Sequence, residues 1–148
     1  MTDDVLLTQG NGAFEWTERH YQNLATKQKL VDSLFVNDWD AFAETVTDDV
    51  KLIEPDALPF GGTYVGIAGF KEAWAKIPQV SHKTTAIATL HTYMTANPDH
   101  LWVELDCKMT RNDNGESMDR IVMEKFEFKG GKISAIILYW DNIPADLK

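Results

Sequence analysis

Two glutamates stand where a carboxylate can work as an acid or a base. Glu54 closes an apolar stretch, Val50, Leu52 and Ile53, immediately before Pro55. A carboxylate set among apolar groups has its pKa raised toward that of a useful general base, whereas the plainer reading is a solvated glutamate at a strand end. Glu124 alternates with Val122, Phe126 and Phe128, so on an extended strand it shares an apolar face, where a charge is costly unless paired or protonated. The plainer reading of that face is contact between two copies of the chain. Arg120 falls on the same face, four residues and roughly 13 Å from Glu124, too far for a direct pair and suited to bracketing a cavity. Its fixed charge could receive a carboxylate or enolate, or neutralise Asp106 or another carboxylate on a neighbouring strand. Paired carboxylates whose surroundings set their pKa values apart mark acid and base roles, and the chemistry that follows is proton transfer next to a carbonyl. Glu54 is expected as the base, Glu124 as the neutral acid, and Arg120 as the group that orients the anion.

Other chemistries are disfavoured by what the chain lacks. It has no phosphate-cradling glycine loop ending in Lys-Ser/Thr, no Gly-x-Gly-x-x-Gly, no Gly-x-Ser-x-Gly and no Cys/His pair at metal-ligand spacing, so no metal and no cofactor are expected. His20, His82, His91 and His100 are scattered, and a lone histidine is more often a satisfied or surface group than a catalyst. A net charge of −9 argues against nucleic-acid partners, which need clustered Lys and Arg. The longest apolar run, Ile133 to Trp140 broken by Ser134, is too short to span a membrane. Met1-Thr-Asp-Asp begins no secretory signal and Cys107 has no second cysteine to pair with, so a soluble cytoplasmic protein is expected.

The elements that must carry these groups follow from periodicity. At 148 residues, 44% of them hydrophobic, the chain suits one domain over residues 18–148 preceded by an extension, residues 1–17. That extension holds Phe14 and Trp16 and reads equally as a lid, a dimer arm or a tail. Glu18 to Phe35 predicts one amphipathic helix burying Tyr21, Leu24, Leu30, Val31, Leu34 and Phe35. Asn37 to Val46 predicts a second, capped by Asp38, with Trp39, Phe42, Ala43 and Val46 buried. Val50 to Glu54 reads as a strand, Asp56 to Gly62 as a loop, and Ile67 to Ile77 as a third helix ended near Pro78. Four β-rich segments follow: Lys83 to Thr95, His100 to Arg111, Glu116 to Lys129 and Lys132 to Asn142. The turn signals Asn97-Pro98-Asp99, Asn112-Asp113-Asn114-Gly115 and Gly130-Gly131 join them into an antiparallel meander. In the second, Leu101, Val103, Leu105, Cys107 and Met109 share one face and Trp102, Glu104, Asp106, Lys108 and Thr110 the other. Helices first and long strands afterwards is an α+β pattern, a strongly curved antiparallel sheet packed against three N-terminal helices.

Over roughly Lys29 to Ile143 the chain resembles the nuclear-transport-factor-like, or SnoaL-like, superfamily, the cone-shaped α+β barrel of ketosteroid isomerases, limonene epoxide hydrolases, scytalone dehydratases and small polyketide cyclases. The resemblance rests on Asn37-Asp-Trp-Asp-Ala-Phe leading to Thr47-Asp-Asp-Val-Lys-Leu-Ile-Glu-Pro, on Gly61-Gly-Thr-Tyr-Val-Gly with the helix to Trp74, and on Val122-Met-Glu-Lys-Phe-Glu-Phe with Gly131-Lys-Ile-Ser-Ala-Ile-Ile-Leu-Tyr-Trp. It implies that Glu54, before Pro55, takes the place of the proton-shuttling Asp of ketosteroid isomerases, and Glu124 that of their protonated oxyanion-hole acid. The Tyr that completes that hole falls at Leu30, which cannot donate a hydrogen bond, and an epoxide-hydrolase Asp falls at Leu138. Both departures count against those two reactions. Trp74 and Trp140 match aromatic pocket positions and Tyr64 a loop that rims the cavity. The implied chamber, lined further by Leu101, Val103, Leu105, Met109, Val122 and Phe126, suits a small apolar or carbonyl-containing molecule. An isomerase, cyclase or dehydratase is therefore expected. The rivals are a non-catalytic ligand-binding module and a homodimer whose function lies in pairing, for which Trp102 on the polar face speaks.

Overall fold

A computed structural model describes residues 15–147 in full and Val5–Leu7 as backbone, and among the described residues there are seven strands and three helices. The elements are β1 (Val5–Leu7), α1 (Glu18–Phe35), α2 (Trp39–Ala43), β2 (Val46–Glu54), β3 (Gly62–Val65), α3 (Gly66–Val80), β4 (His82–Met94), β5 (His100–Arg111), β6 (Ser117–Lys129) and β7 (Lys132–Trp140). The α+β expectation holds, with differences at the ends of elements. α2 is half the predicted length, because β2 begins at Val46, and the Gly62–Val65 end of the predicted loop is a strand. α3 runs past Pro78 to Val80. Asp38 caps α2 as expected, its Oδ1 accepting from the Ala41 N–H at 3.0 Å.

The sheet order is β1-β4-β5-β6-β7-β2-β3. β4 to β7 form the expected antiparallel meander, turned at Gly115, Gly130 and Gly131, all at positive φ. The sheet as a whole is mixed and unclosed, because β2 lies parallel to β7 and β1 parallel to β4. Register shifts between Thr84 and Ala86, Thr89 and His91, and Glu127 and Phe128 bend it, as bulges do, into a concave surface. The helices cover that surface: α1 packs on α2 and β7, and α3 on β2, β3 and β4.

The predicted alternation of β5 is observed, with Leu101, Val103, Leu105, Cys107 and Met109 all buried. Phe42 is fully enclosed, with Trp39 and Phe70 rings 5.2 and 5.0 Å away, and full burial of such a side chain is worth about 1.5–3 kcal/mol. α1 keeps part of its expected face, with Leu30 buried and Leu24, Val31 and Leu34 packed partly against the core. Tyr21 and Phe35 are exposed, and the buried stripe is His20, Asn23, Lys27, Leu30 and Ser33. These residues recur at helical spacing, so polar groups share the inward side of the helix with its leucines and valine. Its tertiary partners explain this: His20 Nε2 lies 2.9 Å from the Thr95 carbonyl, and Asn23 Nδ2 donates to the Pro98 carbonyl at 2.7 Å. Of the extension, Val5–Leu7 pairs with Thr92 to Met94, and Trp16 stacks against His20 and Tyr21. Phe14 lies outside the described residues.

Candidate functional site

Strand register brings the two glutamates to the same level of the concave face. Glu124 on β6 faces Leu138 on β7 and Val103 on β5. On the far side of β7, Ile53 pairs with Ile137, which sets Glu54 at the level of Leu138. One strand therefore separates the two, and two inter-strand steps put their backbones about 10 Å apart.

Each carboxyl is perturbed, for reasons the packing makes plain. Glu54 is 7% exposed and its Oε2 is buried with no hydrogen-bond partner among the described residues. Burial, and secondarily the charge of Glu124, pushes its pKa up to about 8. Glu124 keeps some accessible surface, yet protein surrounds it, and desolvation raises it to about 7 against an opposing pull from Lys27. Surface that faces a protein interior does little to solvate a charge. Lys27 favours the charged form of Glu124, and a charge on Glu124 favours the protonated form of Glu54, a division of roles opposite to the one expected from the sequence.

Lys27 is the residue that the sequence reading missed. It projects from α1, is 3% exposed, and is the cation that acts on Glu124. Its signal was the i, i+3, i+7, i+10 recurrence of His20, Asn23, Lys27 and Leu30, passed over because an apolar stripe was sought. Arg120 faces inward, opposite the buried Cys107, but its Nη1 donates to the Asp119 carbonyl at 2.6 Å and its Nε is buried without a partner. Asp106, considered as its partner, is on the convex face 3.5 Å from Lys108.

The other expected lining residues divide. Leu30, Leu105, Met109, Val122 and Phe126 are fully packed core, whereas Leu138 and Trp140 remain half-buried beside the glutamates. Trp74 is half-buried and meets the exposed Phe35 edge-on at 6.0 Å. Tyr64 is buried, but its hydroxyl donates to the Phe60 carbonyl at 2.6 Å. It borders an outer depression of about 430 Å3 between β3 and α3, with Glu72 and Lys76, which does not contain either glutamate. A second depression, about 630 Å3, lies between α1 and α2 and is equally remote from them.

The loop after Glu54 is held by hydrogen bonds from Leu58 N to Pro55 O and from Gly61 N to Leu58 O. A Cβ on Gly61 would lie 2.3 Å from the Pro55 carbonyl, so only glycine lets the chain fold back beneath this strand end. Arg111, paired with His82 across the β4–β5 ladder, is 7% exposed and bridges Asp113 and Asp146. His82, set aside in the sequence as one scattered histidine among four, is 3% exposed. It packs in a triangle with the rings of Phe60 and Trp140, and burial lowers its pKa to about 4. Among the described residues no group of three or more His, Cys, Asp or Glu could hold a metal ion, and no helix is long and apolar enough to cross a membrane.

Comparison with known proteins places this geometry in a wider set. A family model described as a SnoaL-like domain matches residues 28–136. Among solved structures, a candidate SnoaL-like polyketide cyclase from Jannaschia sp. CCS1 superposes with TM-score 0.70 at 14% identity, covering 87% of this chain and 92% of that one. TerC, co-crystallised with polyporic acid, gives 0.67 at 18% identity, covering 81% and 92%. A candidate isomerase from Bacillus subtilis gives 0.63 at 15%, covering 84% and 90%. At these identities the likeness is one of fold. No curated protein matches the chain significantly.

Proposed function

The chain belongs to the SnoaL-like domain family, and from that premise we propose that it is an enzyme of isomerase, cyclase or dehydratase type, acting on a small carbonyl compound held against the concave face. The observation that carries this reading is Glu54 Oε2, buried without a partner beside a second perturbed carboxyl. A buried, unsatisfied polar atom costs about 1–3 kcal/mol, a cost that a substrate hydrogen bond would relieve.

Glu124, its charge supported by Lys27, removes a proton from the carbon next to the carbonyl. The C–H electron pair moves into an enolate, and Glu54, still protonated, donates to the oxygen that gains charge. Return of the proton to a different carbon completes an isomerisation with no other reactant. Arg120 adds positive potential on the same inner face. No cofactor enters this scheme, and the free, buried Cys107 accords with a cytoplasmic setting.

The test is a thermal-shift screen of the purified protein at pH 7.5 against enones, aryl ketones, polyketide-like aromatics and carboxylic acids. One class is expected to raise Tm, an effect lost in Glu124→Gln, because a ligand stabilises the fold only through its affinity for it. Absence of a shift from every class would remove the reading.

A homodimer is proposed on a separate observation. On the convex face the Trp102 and Tyr139 rings lie 5.8 Å apart, Lys125 stands 5.5 Å over Trp102, and Tyr139 is 48% exposed. Beside them, Tyr93 and His91 both hydrogen-bond Glu104. Aromatic groups edged by both charge signs suit a two-fold interface. Sedimentation at micromolar concentration is expected to show a dimer that Tyr139→Glu converts to monomer. A wild-type protein that is monomeric throughout rules this out.

A further inference from the structure

We propose that His82 is a substrate-binding residue of this site, a neutral imidazole whose Nε2–H donates a hydrogen bond to the carbonyl or enolate oxygen of an aromatic or enone substrate. The inference rests on the reading above and adds a donor that Leu30 does not supply.

Placement comes first. His82 opens β4 and is 3% exposed, inside the fold and not on its surface. Its ring meets Phe60 at 5.7 Å and Trp140 at 5.7 Å, both edge-on, while those two rings lie 6.3 Å from each other. Phe60 belongs to the loop that follows Glu54 and Pro55. Trp140 is two residues along β7 from Leu138, which lies level with both glutamates, a step of about 7 Å. The imidazole thus packs on two side chains, Phe60 and Trp140, that come from the loop after Glu54 and from the strand between the two glutamates.

The tautomer turns on Ser81. That residue is 3% exposed and fixed by its backbone, its N–H donating to the Ile77 carbonyl and its own carbonyl accepting from Asn112 N. Its hydroxyl lies 2.9 Å from His82 Nδ1. In this proposal that hydroxyl is the donor to Nδ1, which puts the single proton of a neutral ring on Nε2. Among the described residues the Ser81 contact is the only hydrogen bond of this side chain, so Nε2 remains available to an acceptor. Arg111, opposite in the ladder, is a cation already engaged by Asp113 and Asp146, and the two rings packed on the imidazole, Phe60 and Trp140, carry no charge. A neutral donor suits an oxyanion because it can stabilise developing charge without giving up its proton beforehand. The flanking rings of Phe60 and Trp140 favour a flat, unsaturated substrate over a saturated one.

The experiment uses the full-length protein and two probes, acetophenone as a neutral carbonyl and 2-naphthol as an enol-like hydroxyl. Long-range nitrogen–proton NMR should show the His82 ring neutral with Nε2 protonated from pH 5.5 to 8. A bound probe should move that N–H downfield together with the amide signals of Glu54 and Glu124. His82→Phe, which keeps the ring packing, should weaken probe binding about five- to tenfold, the worth of one neutral hydrogen bond. His82→Gln, which keeps a donor at the distal position, should recover most of that loss. Probe-induced shifts at Glu54 and Glu124 with no response at His82, unweakened binding by His82→Phe, or a ring protonated on Nδ1 would each overturn the role of His82 and leave the proposed function standing. Failure of both probes to bind at all would overturn both.

Discussion

Between pH 5 and pH 9 the Glu54→Gln variant is expected to gain about 3–5 kcal/mol of stability relative to wild type, a difference in Tm of about 10 °C for a chain of this length. Burial raises Glu54 from 4.5 to about 8, so between those values the folded state binds a proton that the unfolded state has released. Where the native state binds more protons, stability falls as pH rises. Below pH 4.5 both states are protonated and the group exerts no effect; above about 8 the full cost of a buried charge is present. Gln has no charge to bury, so the two proteins should be nearly equal at pH 5 and diverge steadily to pH 9. Glu124, raised to about 7, should act in the same direction over a lower and narrower window. Thermal melts at half-unit pH intervals decide the matter. Parallel curves would mean that solvent reaches Glu54 and that its burial is not maintained in solution.

On a substrate found by the ligand screen, Glu124→Gln should lower kcat by about 10²–10⁴, the usual worth of a positioned acid or base. The wild-type rate should follow a narrow bell, with limbs near the values of the two carboxyls, about 7 and about 8, because it needs one ionised and the other protonated. A bell alone cannot tell which group is which, since the opposite protonation of the pair has the same pH dependence. The variants can. If Glu124 is the base, Glu54→Gln keeps a donor, retains more activity than Glu124→Gln, and loses the alkaline limb. Lys27→Met should move the acid limb upward, because the cation that eases ionisation of Glu124 is gone. A Glu124→Gln enzyme that turns over normally while Glu54→Gln is dead would restore the assignment of Glu54 as base.

Much of this was legible in the chain itself. Two-residue alternation in β5 and β6 and the glycine turns between strands are local properties, since side-chain direction and positive φ depend on neighbouring residues alone. They were enough to identify the meander, the inward face of Glu124 and the unusual setting of Glu54 before Pro55. Three matters depended on contacts between segments far apart in sequence. The parallel pairing of β2 with β7 joins strands about eighty residues apart, and it sets Glu54 level with Glu124. The face of α1 was decided by what lay opposite: Lys27 turns toward Glu124, and His20 and Asn23 meet carbonyls of Thr95 and Pro98, so polar residues went inward while Tyr21 and Phe35 stayed outside. His82 became a candidate only when sheet curvature carried β4 to the ring of Trp140 on β7. Residue types and their periods thus determined which groups could be perturbed and which way strands face. Which perturbed groups meet came from folding, because burial and Coulomb interactions act through space and not along the chain.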